Sequence, residues 1–193
     1  MSRTVRIKKS KELKDKDFYQ THPAMVRALI AQCFAKDISV MEVFDPCCGK
    51  KVIGNVFRDH MVNIYESDLY PNDNTITKAN FLKSNSEFEV VVMNPPYSDK
   101  YNFIDHAITI SDRSYVLLPL DTSNYNVFHK NYLNQPTYLG RLLMTPKVIL
   151  HEDLKTKRGG NSSYAWYEFS DKFKRDPSQD AYERYANLMD FGL

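Results

Sequence analysis

Chemistry is most concentrated in this chain at Asn94, Pro95, Pro96 and Tyr97. A β-branched run at 87–93 stops at Asn94, because two successive prolines lack the N–H donors that a central strand needs. The loop that follows is therefore rigid. The Asn94 side-chain carbonyl and the Pro95 backbone carbonyl are two acceptors with little freedom to turn away, and Tyr97 adds a ring on which a planar group can stack. Two acceptors beside a stacking face suit an exocyclic amine on a heteroaromatic ring. Taking both amine hydrogens localises the nitrogen lone pair and directs it at an electrophile.

The elements that must position this loop can be read on either side of it. A strand expected at 38–44 ends in Asp45-Pro46-Cys47-Cys48-Gly49, ahead of a helix expected at 52–61. A glycine-bearing turn from strand to helix is where a doubly wound sheet binds nucleotides, because the backbone can approach the ligand closely there. A second strand expected at 62–68 carries Glu66 and Asp68 at its tip, where a carboxylate can accept from both hydroxyls of a ribose. Asp45 and Asn94 lie 49 residues apart, about what two strand-helix units require. Both loops are then expected at one sheet edge.

Asn-Pro-Pro-Tyr after a hydrophobic strand resembles the catalytic motif of S-adenosylmethionine-dependent amino-methyltransferases, chiefly the DNA adenine-N6 family, and residues 45–54 resemble their cofactor loop. The resemblance covers roughly residues 17–170, in a motif order similar to the gamma arrangement. It implies an α/β protein with the Rossmann-like class I methyltransferase fold, a mostly parallel seven-stranded sheet with one antiparallel strand. It also implies S-adenosylmethionine as cofactor, no metal, and methyl transfer to N6 of an adenine flipped out of DNA. Asn94 and Pro95 would hold the amino group, with Pro96 fixing the loop and Tyr97 stacking on the base. Asp45, Pro46, Cys47 and Gly49 would meet the methionine end of the cofactor. Tyr19 and Thr21, from the segment before the first strand, would join them. Asp68, with Glu66 second, would take the ribose, and Asn80 with Phe81 the cofactor adenine. Three positions depart from the family pattern. Lys51 replaces the second glycine of the cofactor loop, where a side chain is expected to crowd or reshape it. Asn80 replaces an acid, and Leu150 stands where an aromatic usually holds the base.

The remaining residues set bounds on partners and compartment. With 193 residues the chain suits one domain, read as a basic flexible arm at 1–16 and a methyltransferase domain at 17–193. It has no signal-peptide pattern and no apolar run near the roughly 18 residues of a membrane span, so a soluble, cytoplasmic protein is expected. Three cysteines, two of them adjacent, read as reduced packing residues. The net charge is only +2, but lysine and arginine crowd 3–16 and recur at Lys155, Lys157 and Arg158 beside Gly159-Gly160, a candidate clamp for nucleic-acid phosphates. The expected partner is DNA, single-stranded or a duplex with a flipped adenine. The chain lacks room for a separate target-recognition domain, so a specificity partner or a homo-oligomer is expected, as in minimal enzymes of phages and mobile elements. The same tetrapeptide also suits an RNA adenine or a protein-glutamine methyltransferase, and the three departures suit a degenerate methyltransferase-like binding protein. Further along, helices are expected at 101–111, 121–133 and 173–193, strands at 114–120, 147–151 and 164–169, and Trp166 in the core. Thr21 is expected to cap a helix that begins at Pro23.

Overall fold

A computed structural model describes residues 19–34, 41–145 and 163–193. The basic arm, the start of the expected first strand, the expected strand at 147–151 with Leu150, and the cluster Lys155, Lys157 and Arg158 lie outside the described residues.

The sheet grows from short apolar strands whose alternate residues face opposite layers. Strands β1 (Val43–Asp45), β2 (Ile64–Asp68), β3 (Thr77–Lys78), β4 (Phe88–Met93) and β5 (Ser111–Pro119) are parallel, and β7 (Tyr164–Phe169) runs antiparallel between β5 and β6 (Tyr138–Thr145). β8 (Tyr182–Asn187) pairs in parallel with the far side of β6. The order is β3-β2-β1-β4-β5-β7-β6-β8, so one strand alone opposes its neighbours in the described sheet. Val90 and Val92 of β4 join a core with helices α1 (Pro23–Cys33) and α2 (Val52–Asp59). Val91 and Met93 join a second core on the opposite face, with α3 (Lys100–Ile110) and α4 (Asn126–Phe128). The period of two is what a sheet covered on both faces demands.

The order in which strands are added reverses at β1, since β2 and β3 lie on one side of it and β4 and β5 on the other. Such a switch point opens a crevice at the carboxyl ends of the strands. Asp45 closes β1, Asp68 closes β2, and Asn94 follows β4, so all three emerge at that edge.

Several local expectations are corrected. The helix cap is His22, whose Nδ1 accepts from the Ala24 N–H at 3.2 Å, because the Thr21 hydroxyl is committed elsewhere. The segment expected as one helix at 121–133 is broken, since Tyr125 adopts extended backbone between a 3-10 turn, the short α4 and a π turn at His129–Leu133. Residues 77–78 form an edge strand rather than plain loop, and 138–145 form β6, with an alternating burial pattern. The C-terminal region is β8 followed by a 3-10 turn at Leu188–Phe191, not a helix. With β8 added, the described sheet has eight strands rather than seven. Trp166 is buried and its indole N–H donates to the Met25 carbonyl at 2.9 Å, a core role that ties β7 to α1.

Candidate active site

The loop after β1 is shaped by two aspartates. Gly49 adopts a left-handed φ of 48°, which turns the chain sharply after β1. Its N–H donates to Asp68 Oδ2 at 3.0 Å, and the Tyr70 N–H donates to Asp68 Oδ1 at 2.8 Å, so one carboxylate clasps the loops after both β1 and β2. Two amides use two of about four acceptor directions on that carboxylate, which leaves room for hydroxyl donors. Asp45 is fully buried; its Oδ1 accepts from the Cys47 N–H at 3.2 Å and its Oδ2 has no partner among the described residues. Burial pushes the Asp45 carboxyl well above the usual range, reinforced by the charges of Glu66 and Asp68 and opposed by the Cys47 N–H and Arg58. Burial likewise pushes the Cys48 thiol up to about 12 and raises Cys47. Neither thiol is a nucleophile at neutral pH, since the thiolate is the reactive form. All three cysteines are free.

Lys51 answers the question its position raises. It takes a left-handed φ of 61°, the geometry a glycine would supply there, and it begins α2 from that conformation. Its ammonium runs outward to the Thr75 hydroxyl, with Asp73 at 3.7 Å, and it is not among the residues lining the cavity described below. The expected crowding is absent. A left-handed non-glycine residue costs about 1–2 kcal/mol, while a glycine costs about 0.5–1 kcal/mol in lost chain entropy. Lys51→Gly is therefore expected to raise stability by about 0.5–1 kcal/mol, less whatever the outward contacts contribute, without weakening ligand binding. Chemical denaturation of both proteins checks this, and a clear loss of stability would show that the contacts to Thr75 and Asp73 outweigh the strain.

The second loop holds its asparagine in one orientation. Asn94 Nδ2 donates to the Tyr19 carbonyl and, at 3.1 Å, to Thr21 Oγ1. Both amide hydrogens are thereby used, and the buried Asn94 Oδ1 is left with no partner among the described residues. Pro95 is buried under the loop, Pro96 accepts from the Asp99 N–H at 3.1 Å, and a 3-10 turn at Tyr97–Asp99 leads into α3. The Tyr97 ring stacks on Tyr19, with centroids 5.3 Å apart and planes 15° from parallel.

These groups meet in one cavity of about 310 Å³, a size within the usual range of small-molecule sites. Of the residues singled out in the sequence, Tyr19, Thr21, Pro46, Cys47, Gly49, Asp68, Asn80, Phe81, Asn94 and Pro96 line it. Asp45 sits behind its loop, and Pro95 and Tyr97 are not on the wall. Glu66 is also absent from the wall, because its carboxylate is paired with Arg58 at 2.8 Å beneath α2. Asn80 Oδ1 accepts from the Leu82 N–H at 3.1 Å as a cap, which leaves its amide N–H groups as the more available polar function. Phe81 is buried against Phe44, Phe103 and the edge of His106. Gln20 was not singled out. It is 6% exposed, lines the cavity, and its Oε1 has no partner among the described residues. A lone glutamine in a coil carries no sequence signal, and only the fold brings it to the site.

No protein-family model matches the chain, and no curated protein matches it in sequence. Solved structures do match. A type I restriction-modification system methyltransferase subunit from Streptococcus thermophilus superposes with a TM-score of 0.60 at 14% identity, over 89% of this chain and 47% of that one. A candidate RNA methyltransferase from Pyrococcus horikoshii gives 0.58 at 17% identity, over 82% of this chain and 87% of that one. The magnesium protoporphyrin IX methyltransferase of Synechocystis, solved with S-adenosylmethionine bound, gives 0.51 at 11% identity, over 84% and 92%. The chain has the class I methyltransferase fold. This methyltransferase-fold chain spans about half the length of the restriction-modification subunit. Among its described residues no group could hold a metal ion, and no helix is long and apolar enough to cross a membrane.

Proposed function

We propose that the protein transfers a methyl group from S-adenosylmethionine to the N6 amino group of adenine in DNA. The observation that carries this reading is Asn94, which lines the cavity shared with the Gly49 and Asp68 loops, spends both amide hydrogens on its neighbours, and keeps a buried carbonyl oxygen with no partner among the described residues. The residues suit the cofactor. Asp68 has acceptor directions left for the ribose hydroxyls, and Phe81 and Asn80 offer a ring and a polar amide for the adenine. Gln20 Oε1 and Asp45 Oδ2 are buried acceptors that an ammonium can satisfy. When bound, S-adenosylmethionine supplies an electrophilic methyl group.

Asn94 Oδ1 and the Pro95 carbonyl accept the two amino hydrogens of the target base. They stabilise the positive charge that develops on nitrogen as its lone pair is used. Tyr97 stacks on the base after the Tyr19 ring moves off its face. Unstacking an adenine from a duplex costs a few kcal/mol, so single-stranded or mismatched DNA is the better substrate. Lys155, Lys157 and Arg158 contact phosphates. Restriction-modification methyltransferase subunits are among the structures that share the fold, which supports a DNA substrate, and a partner supplies target specificity.

Titration calorimetry with S-adenosylmethionine, followed by transfer of a tritiated methyl group to DNA, RNA and a protein extract, tests the reading. Label in N6-methyladenine of DNA supports it. Cofactor binding without label in any acceptor favours a degenerate binding protein, and label in RNA or protein alone moves the substrate.

The same calorimetry carries a pH prediction. Burial raises the Asp45 carboxyl, so the free protein keeps a proton there at pH values where an exposed aspartate has lost it. An ammonium placed beside Asp45 lowers that pKa, and binding then releases up to about one proton per site. The binding enthalpy is expected to vary with the ionisation enthalpy of the buffer, and Asp45→Asn to remove the variation. An enthalpy independent of buffer would leave Asp45 as a loop-fixing residue only.

A further inference from the structure

Asn94 is a primary amide, and rotating it by half a turn exchanges its oxygen and nitrogen with little change of shape. Whether the site offers an acceptor or a donor therefore depends on what grips the amide. The Tyr19 carbonyl can only accept, so it admits Nδ2 and repels Oδ1. The hydroxyl of the buried Thr21 takes the second amide hydrogen at 3.1 Å.

This grip is itself anchored. His22 caps α1 through the Ala24 N–H, the Met25 N–H donates to the His22 carbonyl at 3.0 Å, and the Met25 carbonyl accepts from the buried Trp166 indole. The strap formed by residues 19–21 thus transmits the rigidity of the sheet to the catalytic loop, across 73 residues of sequence between Thr21 and Asn94.

We propose that Thr21 and the Tyr19 carbonyl are the positioning groups of the reaction, consuming both amide hydrogens of Asn94 so that only its oxygen is offered to the substrate. The inference rests on the methyl-transfer reading, and it assigns Thr21 to Asn94 rather than to the cofactor. Donating both hydrogens also polarises the amide and strengthens its oxygen as an acceptor. The consequence is a selection rule. A planar ring presenting an amino group satisfies Asn94 Oδ1, whereas a ring edge presenting a carbonyl oxygen meets a second acceptor and is rejected.

Thr21→Val, nearly identical in shape, and Thr21→Ser, which restores the hydroxyl, test it. Thr21→Val is expected to lower kcat by about 10- to 100-fold, the range typical when a group orienting a catalytic ligand is lost. Its cofactor Kd should stay within about twofold of the parent, and Thr21→Ser should recover most of the rate. An independent readout is the Asn94 side-chain NH2 pair in a nitrogen-proton correlation spectrum, assigned by its disappearance in Asn94→Asp. One of the two proton resonances should move upfield in Thr21→Val and return in Thr21→Ser. A Kd that rises with kcat unchanged would overturn the proposal and make Thr21 a cofactor contact, and an unmoved NH2 pair would overturn the hydrogen bond itself. A parent protein that binds no cofactor sinks the methyl-transfer reading and the catalytic role with it, while the NH2 pair still decides the hydrogen bond.

Discussion

Asn94→Ala is expected to lower the rate of methyl transfer by about 10²- to 10³-fold, with cofactor affinity nearly unchanged. The size follows from removing a preorganised acceptor whose proposed interaction is made where charge develops. Affinity is spared because the clasp of Asp68 on Gly49 and Tyr70 involves neither Asn94 nor its loop. The measurement is single-turnover transfer at saturating cofactor beside a calorimetric Kd. Retained transfer in the variant would contradict the role given to the amide oxygen, whatever the substrate proves to be. A protein-glutamine acceptor would show the same loss, so this variant tests the site and the labelled products test the substrate.

Replacing Asp68 should act in the opposite way, on binding first. Asp68→Ala removes two charge-assisted bonds from backbone N–H groups and the acceptor proposed for the ribose. The bond to the ribose is worth roughly 1.5–3 kcal/mol by itself, about 10- to 100-fold in cofactor affinity, and losing the two bonds that shape the loops carries the expected loss to about 10²- to 10³-fold. Asp68→Asn keeps one acceptor and should fall between Asp68→Ala and the parent. Glu66→Gln is the control, since Glu66 serves Arg58 and the packing below Gly54 rather than the cavity. Equal losses from Asp68→Ala and Glu66→Gln would mean that the wall of the cavity has been misassigned.

The parts of this protein legible in its sequence were those enforced by local backbone chemistry. The stop after Met93 follows from two prolines, the turn at Gly49 from a glycine that adopts positive φ, and the first helix from a proline at its start. Other parts depend on contacts distant in sequence. The strand at 138–145 is hidden in the sequence because Gly140 and Arg141 interrupt its apolar alternation, although β7 and β8 pair with it on both sides. The expectation of a C-terminal helix failed because tyrosines and charges at 182–187 read as a polar surface, whereas the edge of β6 recruits them into the sheet. Of the two acids at the tip of β2, Asp68 lines the cavity and Glu66 is held by Arg58, a distinction that depends on a contact between β2 and α2 and leaves no mark in the sequence. Gln20 and the grip of residues 19–21 on Asn94 were invisible for the same reason, since a hydrogen bond between a strap and a loop leaves no periodicity.

The left-handed backbone at Lys51 bears on how such chains diverge. Because Asp68 fixes the bend from outside, by holding the amide of Gly49, the second glycine is released from its usual duty, and the position can drift to a charged residue for a small penalty in stability. A tight bend from strand to helix can therefore be written without the pair of glycines that usually announces it. Its signature then lies in the torsion angles and not in the letters.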